Sequence, residues 1–457
     1  MQFAKLYSHL RLTPFTSDTE EGRASERYRR ALWTMVVNLA SRVLGLVVIV
    51  ASVSWTVPYL GAERYGAWMT IASFAAMLSF LDLGVGNALT NRVVHAASTG
   101  KPSDLRECVS GGLGLLALIS LALAALAMLS AVFLPWASLL KLSSNELSQE
   151  VQRTVLVFSA LFAAQTFANG IARVFHGLQR GFDAYFAAIA GALCSLALLW
   201  IAAKQQADLP TLLLAAMSGP IVGNLVLLIV LWRQAIFSTH QWARTTRGQS
   251  LHLFKTGGLF LFLQIGTMVG WGADSLIIAN ATGAASVAAF AVTQRLMQLV
   301  SQPLSIVNAP LWAAYADAHA RKESAFIANT FKKSFTLTLL ASTAGAIFLF
   351  AFGPEIIGYW TKSEIQPSQM LIGVMAAWLV YETCGNALAM LLNGLGIVRQ
   401  QVWVLCAFVS LVLPAKLLIA PSFGAAGIVL AGLCVYFLTT VLGYGLLFWN
   451  DIQRKMQ

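Results

Sequence analysis

Two arginines carry the first chemical signal in this sequence. Arg42 lies ten residues inside an apolar run that begins at Leu32, and Arg295 lies about ten residues inside one that begins near Ser286. At 1.5 Å per helical residue, each guanidinium would sit roughly 15 Å from the start of its run. A cation held at that depth in hydrocarbon costs at least about 2.5 to 3.5 kcal/mol unless it faces water or an anion. Two readings follow. The arginines are structural partners of Asp82, Asp274 or Glu382, the three acids in similarly apolar surroundings, or they receive a phosphate-bearing substrate through forked hydrogen bonds. We favour the second. The same three acids are the candidates for proton coupling.

Amides accompany these charges on helical faces. Arg295, Gln298, Gln302 and Ser305 recur at steps of 3, 4 and 3, and Gln264, Thr267, Trp271 and Asp274 repeat the same steps. Gln165, Asn169 and Arg173 follow at steps of 4, and Asn38 precedes Arg42 by 4. Such spacing puts each set on one face of its helix, as the lining of a water-filled cavity between two helix bundles requires. The plainer reading is interhelical glue, because Asn, Gln and Ser hold spans together without further function. Trp271 and Trp378 fall mid-span, where they would stack on sugars or pack against lipid.

The elements that must position these groups are membrane helices. Of 457 residues, 58% are hydrophobic and 11% charged, against roughly a quarter charged in a soluble domain. A water-soluble protein is excluded. With about 20 apolar residues per crossing, a mean hydropathy of +0.71 leaves room for about a dozen spans and no sizeable extramembrane domain. Apolar runs bounded by charge or by Gly/Pro turns place helices at about 32–60, 65–92, 107–134, 151–176, 183–204 and 209–232. A second six follow at about 256–281, 285–316, 334–353, 369–393, 399–420 and 424–449.

The net charge of +11 reflects topology. If both termini are cytoplasmic, 22 Lys/Arg fall on the cytoplasmic side, and six face outward: Arg64, Lys141, Arg153, Lys204, Lys362 and Lys416. That bias follows the positive-inside rule and removes the reason to invoke nucleic acid. Residues 1–31 lack the apolar core of a signal peptide and read as a cytoplasmic tail. The expected organisation is a first bundle at 32–232, a cytoplasmic linker at 233–255, a second bundle at 256–449 and a short tail at 450–457.

Missing motifs narrow the chemistry further. The five cysteines are odd in number and mostly within spans, so no disulfide framework or metal spacing is present. All six histidines fall near predicted cytoplasmic ends and loops, which excludes haem held by a mid-span pair. No phosphate-loop motif occurs; Gly100-Lys101 is followed by Pro102. The outer loops are too short for a glycosyl-transferring site. A transporter or flippase remains, with no enzyme activity, cofactor or metal expected.

An internal repeat supports a parallel six-plus-six plan. At an offset of 217, Gln165, Asn169, His176 and Gly177-Leu178 align with Glu382, Asn386, Asn393 and Gly394-Leu395. At an offset of 222, Leu60-Gly61-Ala62 and Ala67-Trp68 align with Thr282-Gly283-Ala284 and Ala289-Phe290. The fold class expected is all-α, with 12 transmembrane helices in two bundles.

The run from Phe80 to Arg92, FLDLGVGNALTNR, and the preceding LGAERYGAW at Leu60 to Trp68 resemble the polysaccharide-export branch of the multidrug/oligosaccharidyl-lipid/polysaccharide flippase superfamily. The resemblance spans the membrane region. It implies an O-antigen-type flippase in the bacterial cytoplasmic membrane, which turns an undecaprenyl-diphosphate-linked oligosaccharide from the inner to the outer leaflet by alternating access. The implied partners are that lipid-linked substrate, the lipid bilayer and other polysaccharide-assembly membrane proteins. Relatives have a cationic lumen, which Arg42 and Arg295 match by helix and depth. Arg92 would meet the diphosphate at the cytoplasmic mouth or merely obey the charge bias. Asn38, Gln165, Asn169, Gln264, Gln298, Gln302 and Asn386 would line the sugar cavity, and Asp82, Asp274 or Glu382 would couple protons. The rival reading is a multidrug-type cation antiporter of the same superfamily, disfavoured because the first helix offers Arg42 and no acid.

Overall fold

A computed structural model of the chain describes residues 20–79, 85–98, 101–238, 270 and 272–448. The described residues form helices joined by short turns, without a strand among them. In hydrocarbon a helix satisfies its backbone polar groups internally, so apolar runs of this length have no other stable form. In chain order the helices are α1 (Glu20–Ser79), α2 (Val85–Ser98), α3 (Pro102–Phe133), α4 (Trp136–Leu139), α5 (Asn145–Gly177), α6 (Gly181–Lys204) and α7 (Leu209–Arg233). They continue with α8 (Asp274–Thr282), α9 (Ala284–Asn308), α10 (Leu311–Ala320), α11 (Ser324–Thr361), α12 (Gln369–Gly394) and α13 (Val398–Tyr436). Two π-helical stretches, Phe437–Val441 and Gly443–Phe448, prolong α13.

Eight helical segments among the described residues are long and apolar enough to cross a membrane. Two of these run across expected turns: Leu32–Phe74 covers the first expected span and the start of the second, and Arg399–Gly445 covers the eleventh and most of the twelfth. The separating turns survive as glycine breaks, Gly61 (φ 69°, ψ 177°) in α1 and Gly424 (φ 55°, ψ −142°) in α13. Most of the expected 256–281 helix lies outside the described residues.

Three boundaries differ from the sequence expectation. The helix expected at 285–316 is interrupted after Asn308 and resumes at Leu311, where Pro310 has no N–H to continue the ladder. The helix expected at 334–353 runs from Ser324 to Thr361. Pro354, expected to end it, is accommodated inside, as prolines are in membrane helices. The helix stops only at Lys362, in the left-handed conformation (φ 51°, ψ 39°). Other ends are set by caps: Asp208 accepts a hydrogen bond from the Thr211 N–H at the start of α7, and Ser368 from that of Leu371 at the start of α12, each satisfying an otherwise orphaned donor.

The helices gather into two compact units. Of the described residues, the first comprises 20–52, 78–79, 85–98, 101–134 and 152–238, and the second comprises 53–77, 135–151, 270 and 272–448. In the first, Leu89 and Val93 of α2, Val109, Leu113 and Leu116 of α3, and Ile171, Val174 and Phe175 of α5 form a buried core with Leu227 and Leu231 of α7. Helices α6 and α7 touch backbone to backbone: a Cβ on Gly191 would lie 2.6 Å from the Gly219 carbonyl oxygen. Small residues at such a crossing let dispersion hold the pair where no hydrophobic force acts. In the second unit, Tyr315, Ile327, Leu391, Leu392 and Leu395 form the core.

Most of the turns repeat. Of eleven residues with positive φ among those described, eight fall into pairs, Gly61 (69°) and Gly283 (91°), Lys141 (49°) and Lys362 (51°), Gln179 (56°) and Gly396 (67°), and Gln206 (49°) and Gly424 (55°), while Ala235, Lys322 and Ser363 have no counterpart. The separations are 222, 221, 217 and 218 residues. The first and third are the offsets at which the sequence aligns with itself. Gly61 and Gly283 share extended ψ as well, 177° and 169°, a combination essentially restricted to glycine.

Candidate functional site

The second unit encloses a cavity of about 420 Å³. Helix α9 contributes Gln294, Gln298, Ser301 and Ser305 at steps of 4, 3 and 4, and α12 contributes Trp378, Glu382, Gly385, Asn386 and Ala389. Asp274 at the head of α8 and Phe408, Lys416 and Tyr436 of α13 complete the polar and aromatic lining. Six residues singled out from sequence, Asp274, Gln298, Ser305, Trp378, Glu382 and Asn386, thus meet around one space. Arg295 and Gln302 do not line it. Each is one position along from a lining residue, and one residue turns a helix by about 100°. Arg295 is half-buried, with Nη2 donating toward the Met69 sulfur at 3.4 Å. Gln264, Thr267, Trp271 and Asp82 lie outside the described residues.

The charged core of the cavity is a pair the sequence did not suggest. Lys416 is 1% exposed, and its Nζ donates to Asp274 Oδ1 at 2.5 Å and to the Gly270 carbonyl at 2.7 Å. From sequence alone Lys416 counts among the outward-facing charges, because its helix is expected to end four residues later. The structure instead continues α13 to Tyr436 and buries the lysine. A signal was available: Lys416 is flanked by Val412-Leu413-Pro414 and Leu417-Leu418-Ile419, without another charge nearby.

With Asp274 neutralised by Lys416, Glu382 is the acid left in the cavity. Among the described residues it has neither an ion pair nor a hydrogen bond, and its side chain is exposed to the cavity. One turn further along α12, Asn386 Oδ1 is buried without a partner among the described residues. Carboxylate and carbonyl oxygens both accept, so the free groups here suit a cation, a proton or hydroxyl donors. Trp378 packs edge-on against Tyr436, with ring centroids 5.4 Å apart, and Phe408 does so at 6.0 Å. Trp378 therefore faces the cavity, where the sequence left it between sugar stacking and lipid packing. Tyr436, Gln294 and Ser301 were missed; none stands out from its apolar flanks by charge.

The first unit holds the remaining candidates. Arg42 is exposed, and its Nε donates to Asn38 Oδ1 at 3.3 Å, with no carboxylate partner among the described residues. Its neighbours Leu39, Val43 and Val47 are exposed too. Arg92 is half-buried on α2. Gln165 and Asn169 pair with each other on α5, and Asn169, but not Gln165, lines a smaller cavity of about 220 Å³. Among the described residues, no three His, Cys, Asp or Glu side chains converge on a common point.

Comparison with known proteins adds context. The sequence model of the family described as "Polysaccharide biosynthesis protein" matches residues 28–315. No curated protein matches the chain in sequence. Among solved structures, an inward-facing multidrug resistance MATE family transporter of the MOP superfamily aligns over 92% of this chain and 98% of its own, with 14% identity and a TM-score of 0.73. The lipid II flippase MurJ, in an inward closed conformation, aligns over 93% of this chain and 90% of its own, with 12% identity and a TM-score of 0.70. The Vibrio cholerae MATE transporter VcmN, as a mutant, aligns over 94% and 97%, with 15% identity and a TM-score of 0.61. At these identities the likeness is one of fold.

Proposed function

Because the chain belongs to the polysaccharide biosynthesis protein family, we infer that this multi-pass membrane protein is a flippase for an undecaprenyl-diphosphate-linked oligosaccharide, moved from the inner to the outer leaflet of the bacterial cytoplasmic membrane by alternating access. The observation that carries this reading is the state of Arg42. It is a guanidinium deep in an apolar helix, exposed and bound to an amide rather than a carboxylate. A structural ion pair would have cancelled its charge; left uncancelled, it suits a visiting anion. Arg295 and Arg92 are assigned to the same diphosphate. The amides Asn38, Gln165, Asn169, Gln298, Gln302 and Asn386, with Gln264, serve the sugars, and the isoprenoid tail stays in the bilayer.

Proton coupling falls to Glu382 in preference to Asp274, whose charge Lys416 already compensates, while Asp82 remains the third candidate. The MOP superfamily also includes multidrug transporters, such as the one matched in fold. The acid-bearing cavity of the second unit would suit a cationic drug, whereas Arg42 argues against one.

The test is flipping of a fluorescent undecaprenyl-diphosphate-linked oligosaccharide by the full-length protein in vesicles. Arg42→Gln and Arg295→Gln are expected to slow it at least tenfold with unaltered folding. Wild-type rates in both variants would remove the diphosphate assignment.

A further inference from the structure

The smaller cavity lies within the first unit, where α5 presents Asn169, Arg173 and His176 at steps of 4 and 3 on one face. Gly86 of α2 and Leu116 of α3 form its opposite walls, and the Thr90 hydroxyl holds α2 to α5 by donating to the Arg173 carbonyl at 3.1 Å. Arg173 is exposed, and its guanidinium has no hydrogen-bond or carboxylate partner among the described residues. The amide of Asn169 is oriented by its neighbour. Gln165 Nε2 donates to Asn169 Oδ1 at 2.8 Å, which takes one of its two lone pairs and leaves the two Nδ2 hydrogens without a partner among the described residues. The hydroxyl of Thr166 is turned away, donating to the Phe162 carbonyl at 2.9 Å. His176 is steadied edge-on by Tyr185, with ring centroids 5.4 Å apart.

Arg173, Asn169 and His176 therefore offer the cavity hydrogen-bond donors, the complement of a phosphate oxygen. The bland account, in which cations near the end of α5 answer the helix dipole and the positive-inside bias, explains Arg173 and His176 but not the cavity or the orientation of Asn169. A comparison inside the chain argues the same way. At the 217-residue offset Asn169 and Ala172 correspond to Asn386 and Ala389, which line the second unit's cavity. There the stripe carries Glu382 and an unpartnered acceptor, while Arg173 corresponds to Met390. The same helical face thus lines a cavity in each unit, with an arginine in one and a carboxylate in the other.

We propose that this cavity is a phosphate-binding pocket, separate from the arginines already assigned to the diphosphate, in which Arg173 and the Asn169 amide, here taken from the sugar-lining set, grip a phosphate or diphosphate group and His176 closes the site. It rests on the flippase reading only for the source of that group, which is either the headgroup of a lipid or a free anion.

Titration of the full-length protein in nanodiscs distinguishes these sources and tests the pocket. Inorganic pyrophosphate is added from solution in one arm, and undecaprenyl diphosphate is incorporated in the discs in the other. At least one probe is expected to bind, about tenfold more weakly to Arg173→Gln and several-fold more weakly to His176→Gln, with part of the affinity kept in Arg173→Lys. Melting temperature and helical content serve as the folding control. A response to the lipid alone identifies a headgroup site, and a response to pyrophosphate identifies an anion site open to water; either supports the pocket. Failure of the wild type to bind both probes, or unchanged affinity in well-folded Arg173→Gln, overturns it. Flipping by a wild type whose Arg173→Gln variant binds like the parent would sink the pocket and spare the flippase. Arg173-dependent binding without any flipping of lipid-linked oligosaccharide would do the reverse.

Discussion

Lys416 and Asp274, 142 residues apart in sequence, share a hydrogen bond of 2.5 Å at which the lysine side chain is 2% exposed and the aspartate 14%. Deleting one partner of a buried pair leaves an uncompensated charge, typically at a cost of about 3 to 5 kcal/mol, whereas deleting both is often nearly neutral. Lys416→Met is therefore expected to lower the thermal midpoint far more than Lys416→Met combined with Asp274→Asn. Equal losses in the single and double variants would show that the ion pair itself is not what Asp274 and Lys416 contribute.

Glu382 offers a cleaner probe of coupling than Asp274, because replacing it strands no lysine. Glu382→Gln preserves its shape and removes its charge. In vesicles with an imposed proton gradient, the variant is expected to bind substrate normally and to flip it at a rate that no longer responds to the gradient. An unchanged gradient response would move the coupling role to Asp82 or Asp274.

Backbone shape and packing can be separated at two nearby glycines. A Cβ on Gly61 meets nothing within 4 Å, so Gly61→Ala carries only the conformational cost of positive φ, about 1 to 3 kcal/mol. A Cβ on Gly66 would collide with the Ala284 backbone, which has no flexible end to yield. Gly66→Ala is expected to abolish stable expression, and Gly61→Ala only to lower the melting temperature.

Arg64 grips Glu150 through two bonds, Nε to Oε2 at 3.1 Å and Nη2 to Oε1 at 2.5 Å. The arginine is a third exposed, so solvent screening limits the pair to about 1 kcal/mol. Arg64→Lys keeps the charge and loses the fork. A double-mutant cycle with Glu150→Gln, read by thermal unfolding, is expected to return a coupling of that order for arginine and less for lysine.

Much of the fold was legible in the sequence because hydrocarbon imposes a simple rule: long apolar runs become helices. Gly61 and Gly283 marked their turns correctly. Pro354 misled, since proline ends helices in water but is tolerated inside α11. The candidate site was half legible. Glu382 and Asn386 stood out as polar residues in an apolar run, and helical spacing placed them on one face. Arg295 and Gln302 were grouped with Gln298 by steps of 3 and 4, which tolerate a rotation that side-chain lining does not. Lys416 escaped because its partner, Asp274, lies on another helix, and one-dimensional spacing carries no information about such a pair. The exposed state of Arg42 required coordinates for the same reason.

The paired bends separate what can drift from what cannot. Corners answer to steric geometry, identical in both copies, while the interior surfaces answer to whatever solute each must hold. The walls show the difference: asparagine stands at both 169 and 386, while arginine at 173 answers to methionine at 390 and glutamine at 165 to glutamate at 382. Such a chain can acquire a new cargo by repainting one chamber, without rebuilding the scaffold around it.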